Sequence, residues 1–236
     1  MTGLEAYHAK RNFKATPEPR GRVVRAKAKA LRFVIQRHDA TRLHYDFRLE
    51  LDGVLKSWAV TKVPSLDPAT RRLAVEVEDH PLDYGTFEGI IPEGQYGGGT
   101  VQLWDEGSWE PRGDPRKGLA EGHMKFDLDG RRLHGGWALV RMADRDGRLG
   151  KKTRHNWLLI KEKDAFAQPG EPDSLLAEDT SVKSGRTLDE IAGDPKKLVW
   201  NSAGKPGAKK AAPAKAPPKP SAVALKKKTV KPSRKK

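Results

Sequence analysis

The chain has 236 residues, 36% of them hydrophobic and none of them cysteine, and its 46 Lys+Arg against 31 Asp+Glu leave a net charge of +15. Without cysteine there is no disulfide framework, no thiolate zinc site and no cysteine nucleophile, so any metal must be held by His, Asp or Glu. No run of about 18 apolar residues occurs and Met1 to Lys14 lacks an apolar core, so neither a membrane span nor a secretory signal is expected.

The positive charge is an end effect: residues 203–236 carry +12 with no acid, residues 1–30 carry +6, and residues 31–202 stand at −3. Taken in chain order, Leu4 to Phe13 is predicted as a short helix. Thr16-Pro17-Glu18-Pro19 must then be extended or turned, because each proline restricts its predecessor. Arg22 to Lys29 reads as a basic connector. From Leu31 to about Asp164 the signals are those of β structure. Arg32 to Gln36 is a short apolar run, and Leu43 to Leu51 alternates strictly. Asp52-Gly53 is a hairpin turn signal, with Val54 to Lys62 returning. Arg72 to Asp79 alternates again, with Leu73, Val75 and Val77 opposed to Glu76 and Glu78. Further strands are predicted at Thr100–Trp104, Lys125–Leu128, Trp137–Met142 and Trp157–Lys161, with turns at Asp129-Gly130, Gly135-Gly136 and Asp146-Gly147. Short helices are expected at Pro115–Glu121 and near Thr187–Ala192.

Many short strands with regular turns predict a mainly β chain: a small closed or partly open β-barrel with a few short flanking helices. Four regions follow: residues 1–30 (helix and connector), 31–165 (barrel core), 166–202 (an extension with a short helix) and 203–236. The last is reduced to Lys, Ala and Pro with a few small residues. It is expected to be a disordered basic tail, because it cannot bury enough apolar surface to offset its ordering entropy. Such a tail reads either as a nonspecific nucleic-acid tether or as a solubilising appendage.

Chemistry concentrates in His38-Asp39-Ala40-Thr41-Arg42-Leu43-His44-Tyr45-Asp46-Phe47-Arg48. His44, Asp46 and Arg48 share one face of the alternating strand. His38 lies six residues earlier and can fold back over His44. Two imidazoles and a carboxylate suit a divalent transition metal with open positions, and Arg48 can grip an oxyanion. The competing reading is the solvent face of an amphipathic strand. A second cluster, Glu76, Glu78 and His80 followed by Tyr84, favours the site. The glycine-rich Glu88 to Gly99 loop either approaches a phosphate or serves as a plain connection. Arg131-Arg132 and Lys151-Lys152-Thr153-Arg154 read either as DNA-facing turns or as solvated hairpin tips.

The His38–Leu49 segment, the Asp79-His80-Pro81-Leu82-Asp83-Tyr84 turn and Glu88-Gly89-Ile90-Ile91-Pro92-Glu93-Gly94-Gln95-Tyr96-Gly97 together resemble the 3′-phosphoesterase module of bacterial DNA ligase D, in a free-standing version. The resemblance runs from about Tyr7 to Asp164. It implies a small β-barrel enzyme that uses manganese or another divalent transition metal to heal DNA 3′ ends before non-homologous end joining. The implied substrates are primer–templates bearing a 3′-terminal ribonucleotide or a 3′-phosphate. It further implies metal ligation by His38, His44 and Asp46. Arg48, His80 and Tyr84 would lie around the scissile phosphate, with Arg11, Glu18 and Glu78 as further active-site residues. Gln36, Lys62 and Arg72 would be supporting or phosphate-side groups. A separate DNA ligase and Ku are implied as partners, with a cytoplasmic, nucleoid-associated location. His80 is the candidate general acid, since imidazole titrates near neutrality. One departure stands out: after Arg11 the family usually has an acid, where this chain has Asn12, which bears on the ribonucleotide-removing step. The alternative function is a catalytically reduced nucleic-acid-binding barrel tethered by its tail.

Overall fold

The computed structural model describes residues 3–24, 30–142 and 156–194. Nine strands follow in chain order: β1 (Leu31–Asp39), β2 (Leu43–Leu51), β3 (Val54–Val60), β4 (Arg71–Glu76), β5 (Gly89–Ile91), β6 (Gly99–Pro111), β7 (His123–Gly130), β8 (His134–Arg141) and β9 (Asn156–Lys161). Their order is β1-β2-β3-β4-β9-β8-β7-β6, and β6 pairs back with β1. This closes an eight-stranded antiparallel barrel with no free edge, with β5 added along β6. The expected closed barrel is therefore present. The Lys151–Arg154 cluster, the Asp146-Gly147 turn and the basic tail lie outside the described residues.

Local chemistry accounts for the connections. Asp52 and Gly53 have φ of 56° and 80°, the paired positive values of a type I′ hairpin turn. Helix α2 (Pro115–Glu121) starts at Asp114, whose side chain accepts from the amides of Arg116 and Lys117, and stops at left-handed Gly122. Helix α3 (Leu188–Ala192) opens on a reciprocal capping box between Thr187 and Glu190. Helix α1 spans only Glu5–Ala9, shorter than Leu4 to Phe13 because its one buried face is Tyr7.

The barrel interior is aromatic. Phe33, Phe47, Trp58, Trp104, Trp109, Phe126, Trp137 and Trp157 form one buried cluster with Ile35, Leu49, Val60 and Leu139. Phe47 stacks on Phe126, and Trp58 meets Trp157 edge to face. Tyr45, Phe47, Leu49 and Leu51 point inward as their alternation predicts. On β4 Ala74 joins the interior, while Val75 and Val77 line an outer recess. One strand bound needs correction: β6 runs on to Pro111, past Trp104, because Asp105-Glu106-Gly107 continues the pairing with β1. The β1–β6 register shifts between Ile35 and Gln36, so Trp104 is the extra residue of a β-bulge.

The outer face of β1–β3 is also covered. Val34, Val54, Leu55 and Leu103 pack there against Leu4, Tyr7 and Tyr84. Strand β2 is thus buried on both faces from Tyr45 to Leu51, and its polar face is not a solvent face.

The β7–β8 turn hangs on one buried acid. Asp105 accepts from the backbone N–H groups of Glu106, Arg131 and Arg132 through Oδ1 and of Leu133 through Oδ2, at 2.9–3.1 Å. Arg132 is likewise spent on the fold, donating to Glu178 and to the Thr180 carbonyl. Replacing Asp105 with alanine strands several buried donors at about 1–3 kcal/mol for each one left unsatisfied. D105A is therefore expected to lose roughly 3 kcal/mol in urea denaturation, and D105N, which keeps one acceptor oxygen, less than half of that.

Candidate active site

Cross-strand register assembles the core of the site. On the outer face His38 of β1 lies opposite His44 of β2, and Gln36 lies opposite Asp46. Asp46 is opposite Ala59 of β3, and Arg48 opposite Ser57. The imidazole centroids of His38 and His44 are 4.8 Å apart. Asp46 Oδ2 is 3.5 Å from His38 Nδ1, and Oδ1 is 3.7 Å from His44 Nε2. His38, His44 and Asp46 can each offer a ligand atom within 4.8 Å of the others, and they are the one such group of three among the described residues.

This donor set fits a divalent transition metal. His44 Nδ1 is 2.8 Å from the Arg42 carbonyl oxygen. It therefore carries the proton and leaves the Nε2 lone pair facing Asp46, the usual arrangement for a metal-bound histidine. His38 Nε2 is buried with no hydrogen-bond partner, which is costly for a polar atom unless something binds there. Burial opposes ionisation of Asp46, but the Arg48 guanidinium, the His38 hydrogen bond and the two imidazoles outweigh it. They hold the carboxyl well below the usual carboxylate range.

Arg48 joins this triad to a second layer. Its side chain is 2% exposed. Nε donates to Gln36 Oε1 at 2.8 Å, Nη1 to Ser57 Oγ at 2.8 Å and Nη2 to Asp46 Oδ2 at 3.1 Å. Gln36 is held in turn, its Nε2 donating to the Tyr84 and Phe87 carbonyls. The register shift beside Gln36 sits where this bracket departs from the barrel wall.

The N-terminal segment supplies the opposite side. Arg11 donates through Nε to Glu18 at 2.8 Å and through Nη1 to Glu78 at 3.0 Å. Its guanidinium stacks 4.0 Å from the Tyr7 ring centroid. Lys10 donates to the other Glu78 oxygen at 2.9 Å.

His80 lies between the two guanidiniums. Arg11 Nη2 is 3.0 Å from Nε2, and Arg48 Nη1 is 2.9 Å from Nδ1. The Glu78 carbonyl is 2.8 Å from Nδ1, so Nδ1 carries the single proton and Nε2 accepts from Arg11. Burial, then Arg48, then Arg11 push the imidazole well below its ordinary titration range. His80 is neutral here, not poised near neutrality as expected from its residue type. The Tyr84 ring packs 4.8 Å from His80 and 4.9 Å from the Arg48 guanidinium. It sits on a 3₁₀ turn, Leu82–Thr86.

A cavity of about 140 Å³ is lined by residues from all these layers. His38, His44, Asp46, Arg48, His80, Tyr84, Arg11 and Glu78 border it, and Glu18 and Gln36 brace them from behind. Two expected residues are not brought in. Lys62 is exposed beyond the end of β3. Arg72 donates to the Val63 and Pro172 carbonyls and to Asp173. Asn12 is exposed, accepts from the Lys14 amide and does not line the cavity. Sequence reading missed Tyr7, Ser57 and Tyr96. Ser57 was findable as the cross-strand partner of Arg48. Tyr96 sat within the quoted Glu88–Gly97 motif but was given no role, and the place of Tyr7 depends on contacts remote in sequence.

Residues 36–141 match the DNA Ligase D 3′-phosphoesterase domain. The chain is 54% identical over 187 residues to the multifunctional non-homologous end joining protein LigD of Pseudomonas aeruginosa, covering 78% of this chain and 22% of that protein. It is 44% identical over 141 residues to the multifunctional non-homologous end joining DNA repair protein LigD of Mycobacterium tuberculosis, covering 58% and 18%. With the LigD of Mycolicibacterium smegmatis it shares 39% over 186 residues, covering 76% and 23%. The chain thus spans about a fifth of the length of the curated relatives it matches. Residues 36–141, which carry most of the barrel and the His38, His44 and Asp46 triad, belong to the DNA ligase D 3′-phosphoesterase domain family.

Proposed function

We propose that this chain is a divalent-metal-dependent phosphoesterase that heals DNA 3′ ends, removing a 3′-terminal ribonucleotide, a 3′-phosphate or both, to leave a 3′-hydroxyl for end joining. One juxtaposition carries this reading: a His/His/Asp triad is bonded through Asp46 to the buried Arg48 guanidinium, which with that of Arg11 brackets one imidazole. The role calls for DNA ends as substrate and for a ligase and Ku as partners. It also calls for a cytoplasmic, nucleoid-associated location. No helix among the described residues is long and apolar enough to cross a membrane.

Charge balance explains a need for metal. Lys10, Arg11 and Arg48 are matched by Glu18, Glu78 and Asp46, and His80 is neutral. An entering phosphate anion therefore finds no net positive charge among these side chains. Manganese or another divalent transition metal held by His38, His44 and Asp46 would supply that charge and a bound water acidified toward neutrality. Arg48 and Arg11 would orient the phosphate oxygens. Hydrolysis adds a water oxygen to phosphorus and breaks the bond to the leaving oxygen, which needs a proton. Phosphate between the guanidiniums would offset their share of what, together with burial, keeps His80 neutral. In the substrate complex His80 would take up a proton on Nε2 and pass it to the leaving oxygen. Tyr84 would hold the imidazole in place. Because Asn12 does not line the cavity, both steps are expected to remain.

Three outcomes are expected. With manganese and a primer–template ending in a ribonucleotide or a 3′-phosphate, H44A should lose activity by at least roughly 100-fold, since even outer partners of metal ligands are worth about 10–100-fold. Its thermal melt should stay cooperative; wild-type turnover in H44A would move the metal elsewhere. R48K should fall similarly, because an ammonium cannot reproduce the fork that joins Gln36, Ser57 and Asp46. Full activity there would remove the guanidinium from the mechanism.

The third concerns pH. The folded state keeps His80 neutral, whereas the unfolded chain takes up a proton through about pH 6.5. Its contribution to stability is complete above that value and is lost as pH falls below it. The midpoint temperature should drop between pH 7 and pH 5 in the wild type. H80Q should show a smaller drop, and equal slopes would mean that His80 is already protonated when folded.

A further inference from the structure

A larger recess opens directly beside the cluster. It encloses about 650 Å³, within the range of about 300–1,000 Å³ typical of small-molecule sites. It shares His44, Ala59, Val77, Glu78 and Tyr96 with the smaller cavity. Its floor continues one row of the sheet. Asp46 lies opposite Ala59, and Ala59 lies opposite Val75, so the three share the outer face. Two strand spacings, roughly 10 Å, separate Asp46 from Val75. Outer positions on a barrel wall are ordinarily polar, yet here Ala59, Val75 and Val77 make an apolar strip leading away from a metal ligand.

Two large, exposed apolar side chains line the same recess. Leu43 is 40% exposed and Tyr96 is 46% exposed. The Tyr96 hydroxyl is tethered by Lys10 Nζ at 3.1 Å, and it donates to Glu78 at 3.4 Å. The ring is thus held in place, not free to turn away. The acids beside the recess are occupied: Glu78 binds Lys10 and Arg11, and Glu76 accepts from the Trp157 indole. Lys10 and Arg42 also line it and match the phosphates of a flexible polyanion.

We propose that this recess seats the 3′-terminal nucleoside of the substrate strand, with its base against Tyr96 and Leu43 over the Ala59–Val75 floor. The inference rests on the phosphoesterase reading and adds where the leaving nucleoside is held. A flat apolar base beside a phosphate fits an aromatic platform next to a metal triad, and stacking of this kind tolerates any base.

The test uses the full chain with three primer–templates: one ending in a ribonucleotide, one in an abasic ribose and one in a 3′-phosphate. Y96A and L43A should each lower kcat/KM about tenfold on the first, within the worth of one base–aromatic stack. On the abasic end they should change it less than twofold. Equal losses on all three substrates, or a wild-type enzyme indifferent to the terminal base, would overturn the proposal. A binding readout separates this from failure of the phosphoesterase reading itself. A strand with 2-aminopurine as its 3′-terminal base should be quenched on saturation with wild-type protein and manganese, and much less with Y96A. An unquenched terminal base overturns the seat even where the chain cleaves nothing. Quenching without cleavage upholds the seat and overturns only the chemistry.

Discussion

A guanidinium cannot shed its charge, so burying one obliges its surroundings to accept hydrogen bonds from it. Arg48 is almost wholly buried on the outer wall of the barrel, and the site is arranged around that requirement. Gln36 takes one N–H and must itself be fixed by two carbonyls from the Tyr84 turn. Asp46 takes another and is thereby kept ionised, which is the state a metal needs. Ser57 takes a third, while His80 is held neutral beside it. One obligatory charge, helped at the imidazole by burial, thus keeps both a carboxylate and an imidazole free of an extra proton a few ångströms apart. Shifted groups of this kind cluster at functional sites.

Much of the fold was legible because its signals are local. Strict alternation in Leu43–Leu51 identifies the strand, the inward face and the register that aligns His44, Asp46 and Arg48. The Asp52-Gly53 turn and the capping residues Asp114 and Thr187 need no distant partner to act. What was not legible depends on pairing across the chain. The strand expected to end at Trp104 runs on because β1 pairs with Asp105-Glu106-Gly107 as well. On β4, alternation alone does not say which face is the core; the interior takes Ala74. Val75 and Val77 face outward into the recess instead.

The site divides the same way. His38, His44, Asp46 and Arg48 come from one hairpin, and their grouping follows from the two-residue period of strands. That the polar face is buried could not be read from the hairpin. Its cover comes from the first twenty residues and from the stretch around Glu78 to Tyr96. Arg11, Glu18 and Glu78 were reached only through family resemblance, since no periodicity links a helix end, a proline turn and a strand exit. Arg72 shows the limit of that route: its guanidinium is engaged with the 172–173 segment.

The family match covers residues 36–141, yet closure of the barrel uses β9, which ends at Lys161 and bridges β4 to β8. Glu18 and Arg11 lie upstream of the match altogether. The span of the family match is therefore smaller than the unit of folding, and smaller again than the unit that completes the cluster, whereas the similarity to the Pseudomonas aeruginosa protein takes in 187 residues. A span cut to the matched residues would leave β4 and β8 each short of one neighbour and a buried histidine with one of its two flanking charges gone. The piece that both closes the barrel and completes the cluster runs from the first helix to the ninth strand.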